Sequence, residues 1–392
     1  MAHGHPQPAR RLARRPSRPP ALPLRAAGTM SERFATGLVV GRFAPLHLGH
    51  ELLIATARTT CDRVVVLSYT RNEPSGCPAP VRAQWLASRF PDLRRVVLQA
   101  TGYVSADLDE PARAAARSLA RAMPADDADP GEHRDFVARV CREALHARID
   151  AVFTGDDDGD AWAAAWTTSC RAREPSHPPI RHVLVDGAHT RVPISARQVR
   201  ADVHACRSYL SPSVYAHFVE RVCLLGGESS GKTTLARSLA QRFQTTWVRE
   251  YGRALWERRG GALQPEDMVR IAETQVRLED EAAPRARRFL FCDTSPLTTL
   301  FYSDRLFGRV DRRVLDLAAR PYHHVVMCAP DFPFVQDGTR QGREARERQH
   351  AWYARELELR GLEHFEATGG RDERVRAVAS WLRSRSTDPR RA

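Results

Sequence analysis

The residues with the most distinctive chemistry lie in a glycine-rich turn, GGESSGKTT, that begins at Gly226. The turn matches G-x-x-x-x-G-K-[ST], the pattern of a loop that surrounds nucleotide phosphates with backbone N–H groups. It follows an apolar run and precedes a helical pattern, so the positive end of a helix adds to the attraction for phosphate. Lys232 is the single lysine among 60 basic residues. The sequence therefore predicts a nucleotide site in which Lys232 is catalytic and stabilises the transferred phosphate.

Groups that bind a metal are predicted around the same loop. Thr233 supplies a hydroxyl for Mg²⁺, and Asp293 ends the apolar run FLFCD in the position of a second Mg²⁺ ligand. A helix-capping role is the alternative for Asp293. The predicted ATP phosphate contacts of this half are Gly226, Gly227, Glu228, Ser229, Ser230, Gly231, Lys232, Thr233, Thr234, Arg340 and Arg343.

The residues downstream of the loop favour a small-molecule kinase. Glu250 and Arg253 follow a strand pattern, TTWV, at the place where such kinases bind the acceptor. Arg340 and Arg343 lie in a charged stretch that is either a lid over the transferring phosphoryl group or a solvated helix face. About 160 residues follow the loop, which leaves room for one compact domain. A switch-like NTPase remains the alternative.

A second turn with chemical potential, GRFAPLHLGH, begins at Gly41. Its two histidines, His47 and His50, are three residues apart at the start of a predicted helix, so both side chains project to one side. Two imidazoles and a helix N-terminus suit a phosphate chain that gains charge in a transition state. Zinc is less favoured, because no third ligand lies at a suitable spacing.

Both turns belong to alternating strand and helix patterns, which indicate α/β sheets. Strands are predicted at Thr36–Arg42, Arg63–Ser68, Arg95–Gln99, Ala151–Thr154, Arg181–Val185, Arg221–Leu225, Thr246–Val248, Phe289–Cys292 and His324–Met327, while 125–133 is predicted as a surface loop. The predicted fold is two doubly wound parallel-sheet domains, at 33–201 and 220–392. Residues 202–219 form the linker, and 1–32 form a disordered, basic extension rich in Pro and Arg.

Composition narrows the class of protein further. No run of eighteen apolar residues occurs, so no membrane span is predicted. The net charge of +13 is a weak argument for nucleic acid, because the arginines are spread along the chain among Asp and Glu. The eight cysteines form no CxxC pair, and several lie in apolar runs. Buried free thiols and a cytoplasmic location are therefore expected.

The first turn resembles the HxGH signature of the nucleotidylyltransferase superfamily, and ISARQVR at 194–200 is similar to its second signature. Arg197 replaces the usual Thr of that signature, and Ala196 replaces Gly or Ser. The two halves together resemble the NadR-type bifunctional nicotinamide-nucleotide adenylyltransferase and ribosylnicotinamide kinase over about residues 33–370. Segments that carry this resemblance include TGLVVGRFAPLHLGH, VPISARQVR, RVCLLGGESSGKTTL, REYGR, FCDTSPLTT and PDFPFVQDGTR.

For the second half, the resemblance implies phosphorylation of the 5′-hydroxyl of nicotinamide riboside by ATP. Asp293 would hold Mg²⁺ or act as the general base. Trp256 would stack on the positively charged pyridinium ring, although a structural role explains this tryptophan equally well. The implied acceptor contacts are Glu250, Arg253 and Trp256.

For the first half, the resemblance implies that the phosphate of nicotinamide mononucleotide attacks the α-phosphate of a second ATP. The products are NAD and pyrophosphate, with His47 and His50 as the catalytic residues. The implied ATP contacts are Gly41, Phe43, His47, His50, Ser195 and Arg200, and the implied acceptor contacts are Arg82 and Trp85.

Other interpretations stay open at this point. The kinase is active beside a degenerate, nucleotide-sensing first half, which Arg197 suggests, or the acceptor is another vitamin-derived phosphate. A regulatory NTP-binding protein is a third possibility. Some members of the resembled family carry a helix-turn-helix repressor domain, but only about 30 Pro/Arg-rich residues precede the first strand here, so DNA binding is not predicted. Homo-oligomerisation is left open.

Overall fold

The computed structural model describes residues 33–105, 107–155, 158–331 and 343–386. Within them lie two five-stranded parallel sheets with helices on both faces, so the predicted fold class is confirmed. The strands are β1 (Phe34–Gly41), β2 (Cys61–Thr70), β3 (Arg94–Gln99), β4 (Ala151–Thr154), β5 (Arg181–Leu184), β6 (Glu220–Leu225), β7 (Trp247–Val248), β8 (Phe289–Asp293), β9 (His324–Cys328) and β10 (Phe365–Ala367).

Helices connect successive strands in both halves. They are α1 (Leu48–Thr60), α2 (Ala79–Arg89), α3 (Glu110–Arg121), α4 (Pro130–Arg139), α5 (Gly159–Arg171), α6 (Ala196–Ala201), α7 (Pro212–Tyr215), α8 (Lys232–Arg242), α9 (Tyr251–Arg258), α10 (Pro265–Ala282), α11 (Pro296–Phe307), α12 (Arg312–Ala318), α13 (Arg343–Leu359) and α14 (Arg371–Ser386). None of the helices in the described ranges is both long and apolar enough to cross a membrane.

The strand orders place both chemical turns at the same kind of position. The first sheet has the order β3-β2-β1-β4-β5, and the second has β10-β9-β6-β8-β7. In each sheet the order in which successive strands are added reverses beside the first strand, β1 or β6. Ligands of open parallel sheets bind at the carboxyl ends of the strands at this point. The turns after β1 and β6 therefore lie where the fold creates a crevice.

All nine predicted strands are present, with small shifts at their ends. The interpretation of 125–133 as a loop is wrong for its last residues, because α4 begins at Pro130. There the Asp129 side chain accepts a hydrogen bond from the Gly131 N–H at 2.7 Å and caps the helix. The strand β10 was not predicted, since its three residues, FEA, carry no pattern. Residues 1–32 lie outside the described part, and the domain boundaries stay predictions.

One apolar cluster runs from the first sheet into the second. Trp85 of α2 packs against Phe218, with 5.6 Å between ring centroids, and Val214 and Tyr215 of α7 belong to the same cluster. On the other side of these residues the cluster continues to Ala283 and to the inner residues of β8. Val214, Tyr215 and Phe218, in the segment between the sheets, are therefore packed by residues of both halves.

A polar cluster around Glu220 ties the same junction together. Its carboxylate accepts hydrogen bonds from His324 Nε2 at 2.6 Å and Arg288 Nε at 2.7 Å. His204, from the segment between the sheets, lies 3.6 Å away. Hydrogen bonds from His204, His324 and Arg288 hold the pKa of Glu220 well below its ordinary value, although burial opposes them. The cluster thus joins the starts of β6 and β9 to the preceding segment.

Replacing Glu220 by Gln should lower the free energy of unfolding by about 1–3 kcal/mol at pH 7, because the buried His324 and the partly exposed Arg288 lose their anion. The depressed pKa means that this contribution is present above the ordinary carboxyl pKa and is lost as pH falls. Urea unfolding of both proteins at pH 7 and pH 4 measures the difference, which should narrow at pH 4. A difference equal to that of Glu273→Gln, an exposed change on α10, would contradict the assignment.

Candidate functional site

The glycine loop after β6 has a backbone that only glycine permits at two positions. Gly226 and Gly231 have φ values of +138° and +83°, in the region that residues with a side chain rarely adopt. A Cβ on Gly226 would lie 2.6 Å from the carbonyl oxygen of Cys328. A Cβ on Gly227 would lie 2.5 Å from that of Arg346. The loop is therefore pressed against β9 and α13, with α8 beginning directly behind it.

Lys232 and the loop are tied together in this structure. The Lys232 ammonium donates hydrogen bonds to the carbonyl groups of Gly226 and Gly227, at 2.8 and 2.9 Å. The hydroxyl oxygens of Ser229 and Ser230 are buried and have no hydrogen-bond partner within the described residues. A cation and two unpaired hydroxyls around one glycine loop suit an anionic ligand with many oxygens, such as a phosphate chain.

The residues predicted to bind Mg²⁺ are brought together. Thr233 Oγ1 donates to Asp293 Oδ2 at 2.5 Å, across the gap between α8 and β8. Asp293 is 1% exposed, its other oxygen, Oδ1, has no partner in the described ranges, and burial raises the pKa of its carboxyl group. A buried, unpaired carboxylate oxygen beside a hydroxyl fits a hard cation whose other ligands are phosphate and water. The donor set therefore fits Mg²⁺.

A cavity of 1280 Å³ extends from the loop toward α9, α10 and α11. It brings the predicted acceptor residues Glu250, Arg253 and Trp256 into one space with Lys232 and Asp293. Glu250 precedes α9, and loss of hydration raises its pKa to about 7, against the opposing charges of Lys232 and Arg253. Glu250 can therefore exchange a proton near neutral pH. Arg340 and the side chain of Arg343 lie outside the described residues.

Sequence reasoning missed Arg374, which supports the loop from behind. This side chain of α14 is 2% exposed and donates to the carbonyl groups of Ser230 at 2.7 Å, Ala329 at 2.9 Å and Gly369 at 2.9 Å. It also forms an ion pair with Asp331. In a helix with many arginines, each arginine is expected to lie at the surface. No signal in the sequence therefore distinguishes the buried Arg374 from the exposed arginines of α14.

In the first half, the two predicted histidines stack on each other. His47 precedes α1, its ring centroid is 3.6 Å from that of His50, and its backbone N–H donates to His50 Nδ1 at 3.4 Å. His47 Nδ1 is buried without a partner in the described part of the chain. Burial, with the nearby charges of His189 and Arg200, lowers the pKa of His47 to about 4, and burial and His47 lower that of His50 well below 6.5. Both imidazoles are thus neutral at pH 7.

The second predicted motif meets the histidine turn. Arg200 of α6 donates to the carbonyl group of Ala44 at 2.6 Å, which places its charge beside the two rings. Ser195 caps α6 by accepting a hydrogen bond from the Gln198 N–H at 3.2 Å. Phe43 has a φ of +48°, and its ring packs edge-on against His50, with 5.1 Å between centroids. A Cβ on Gly41 would lie 3.1 Å from the Phe43 ring, so this position is tightly packed.

The two residues predicted to contact the acceptor in this half are buried. Arg82 is 0% exposed and donates to Ser68 Oγ at 2.5 Å and to the carbonyl of Cys77 at 3.2 Å, and it pairs with Glu73 at 3.3 Å. Trp85 is 2% exposed and belongs to the apolar cluster that runs between the two sheets. Both positions give these side chains a structural role in this structure, and their predicted contact with an acceptor stays a prediction.

Replacing Arg82 by Met should lower the free energy of unfolding by about 2–4 kcal/mol, because the half-buried Glu73 carboxylate and several buried acceptors lose their donor. Chemical denaturation measures the loss. Arg58→Met, which removes an exposed arginine paired with Asp92 in the turn after α2, is the matched control and should change stability by less than about 1 kcal/mol. Unchanged stability with weaker substrate binding would instead identify Arg82 as the acceptor contact.

Comparisons with known proteins agree with this picture. Residues 221–374 match a family model described as an AAA domain. The "Trifunctional NAD biosynthesis/regulator protein NadR" of Escherichia coli (strain K12) and that of Salmonella typhimurium (strain LT2) are each 28% identical to this chain, over 78% of it and 71% of the relative.

Solved structures extend the comparison to the fold. A crystal structure of NadR protein in complex with NR has a TM-score of 0.61, covering 86% of this chain and 91% of its own. One in complex with NAD and AMP-PNP has a TM-score of 0.62 and covers 90% and 96%. Both are 18% identical, so they show a shared fold. Together with the sequence relatives, they confirm the resemblance to NadR-type proteins, while the roles of the site residues stay predictions.

Proposed function

Because the chain is NadR-like over most of its length, we propose that it synthesises NAD from nicotinamide riboside in two ATP-dependent steps. The second half phosphorylates the riboside to nicotinamide mononucleotide. The first half transfers the adenylyl group of another ATP to that mononucleotide and releases pyrophosphate. The observation that carries the proposal is the presence, in one chain, of a glycine loop beside a large cavity and of a stacked histidine pair at a second crevice.

In the kinase step, the acceptor lies in the cavity lined by Glu250, Arg253 and Trp256. Glu250 accepts the proton of the 5′-hydroxyl as that oxygen attacks the γ-phosphorus of ATP, and the bond to the β-phosphate oxygen breaks. Lys232 leaves the carbonyl groups of its own loop and stabilises the charge on the phosphates. Thr233 and Asp293 would hold Mg²⁺, which supplies charge neutralisation to the phosphates when bound.

In the transferase step, a phosphate oxygen of the mononucleotide attacks the α-phosphorus of ATP, and pyrophosphate leaves. The stacked imidazoles are neutral before substrate binds, so they receive the phosphate chain as N–H donors. The buried Nδ1 of His47, which has no partner among the described residues, forms its hydrogen bond with the phosphates of ATP. Arg200 adds a fixed positive charge beside them.

Product analysis by chromatography tests the proposal after the protein is mixed with nicotinamide riboside, ATP and Mg²⁺. Wild type should accumulate NAD. Lys232→Ala should lose riboside phosphorylation by at least about 100-fold and regain NAD formation when mononucleotide is supplied. His50→Ala should stop at the mononucleotide, with the adenylyl step slowed about 100- to 1000-fold.

Two results would contradict the proposal in different ways. If wild type stops at the mononucleotide, the first half senses nucleotide and does not transfer it, and the exposed Arg197 on α6 becomes the first residue to revert to Thr. If neither product forms, the acceptor is wrong. A thermal-shift scan of the same samples shows whether ATP binds in each case.

The raised pKa of Glu250 gives the kinase step a pH dependence. A base must be deprotonated, so kcat/KM for the riboside should rise as pH increases through about 7 and then level off. Glu250→Gln should lower kcat about 100- to 10000-fold and abolish that rise. Initial rates from pH 5.5 to 9 check this, with Glu281→Gln, an exposed change on α10, as the control. A rise that persists in Glu250→Gln would assign the base elsewhere.

A further inference from the structure

An acidic residue in the phosphate-binding loop needs a physical explanation. Glu228 lies between Gly227 and Ser229, where neighbouring backbone groups are shaped for an anion. A carboxylate within a few ångströms of a triphosphate costs free energy through Coulomb repulsion. Its position therefore makes sense only if the side chain serves something other than the phosphates.

The contacts of Glu228 show where this side chain is directed. Its Oε1 accepts a hydrogen bond from the Tyr302 hydroxyl at 2.8 Å, and Tyr302 belongs to α11 on the acceptor side of the cavity. Its backbone N–H donates to Gln349 Oε1 of α13 at 3.0 Å. Gln349 Nε2 in turn approaches the Tyr302 hydroxyl at 3.4 Å. Glu228 is thus fixed from two helices and shares the cavity with Glu250 and Trp256.

Among the described residues that line this cavity, carboxylates outnumber cations by four to three, so the formal charge of the lining is −1. The carboxylates are Glu228, Glu250, Glu257 and Asp293. Burial and the negative charge of Glu228 raise the pKa of the Tyr302 hydroxyl, and Glu228 and Asp293 each raise that of Glu250. The cations among the described lining residues are Lys232, which serves the phosphates, and Arg249 and Arg253, of which Arg253 is bonded to Glu257 at 3.1 Å. A positively charged acceptor satisfies this negative charge better than a neutral one.

We propose that Glu228 is a specificity-determining residue that selects a positively charged acceptor, and that it is not a phosphate ligand. The inference deepens the proposed kinase activity and rests on it. The carboxylate counters the pyridinium charge from one side, while Trp256 offers a ring face from within the same cavity. The selection is electrostatic, so it acts on charge and not on the outline of the ring.

Two ribosides of nearly the same shape separate charge from fit. Nicotinamide riboside carries the pyridinium charge, and its reduced dihydro form is neutral. Wild type should prefer the cationic riboside at least about tenfold in kcat/KM. Glu228→Gln keeps an oxygen acceptor for Tyr302 but removes the charge. It should lower kcat/KM for the cationic riboside about tenfold or more and change that for the neutral riboside less than about threefold.

Further variants and a binding measurement keep the test decisive. Glu228→Asp keeps the charge and should retain the preference, and Glu273→Gln, far out on α10, should leave both rates unchanged. Calorimetry of each riboside with each protein reports the same ratio as Kd, independent of turnover. Absence of turnover by wild type would contradict the proposed function, while the Kd ratio would still test charge selection.

Equal loss for both ribosides in Glu228→Gln, or no loss for either, would overturn the inference. A wild-type enzyme that prefers the neutral riboside, or that binds neither, would overturn it as well.

Discussion

The second half of the molecule depends on a close approach between backbones. Gly226 and Gly227 lie against the carbonyl groups of Cys328 and Arg346, at distances that no side chain could share. This approach fixes the loop to β9 and α13, aims the start of α8 into the cavity, and brings Thr233 to Asp293. The shape of the loop thus results from its packing against β9 and α13, which leaves no room for a Cβ at Gly226 or Gly227.

In the first half, the turn that precedes the helix is held in place by side chains and not by a close approach of backbones. Its turn after β1 uses stacked imidazoles, an arginine held by a carbonyl group and an edge-on aromatic ring. Burial lowers the pKa of both imidazoles and keeps them uncharged. The two stacked rings therefore do not repel each other as two cations would when no ligand is bound. Both turns lie at the same place in their sheets, because each follows the strand beside which the strand order reverses.

The sequence predicted most of the fold and the centre of each site, because those features carry local patterns. β-branched runs mark the strands, and glycine spacing marks the loop. It could not show that Arg82, Trp85 and Arg374 are buried, since whether a long side chain enters the core depends on which helix face meets the sheet. It also predicted Glu228 as a phosphate contact, a residue for which we propose a different role. Only the partners on α11 and α13, more than 70 residues away, show the direction of that side chain.

The apolar cluster that runs through both sheets links the stability of the two halves. Val214, Tyr215 and Phe218 are packed by residues of both halves, so neither half has a complete core when the other unfolds. Opening either half therefore exposes apolar surface of this shared cluster on the other half. A substitution that unfolds one half thus also destabilises the other.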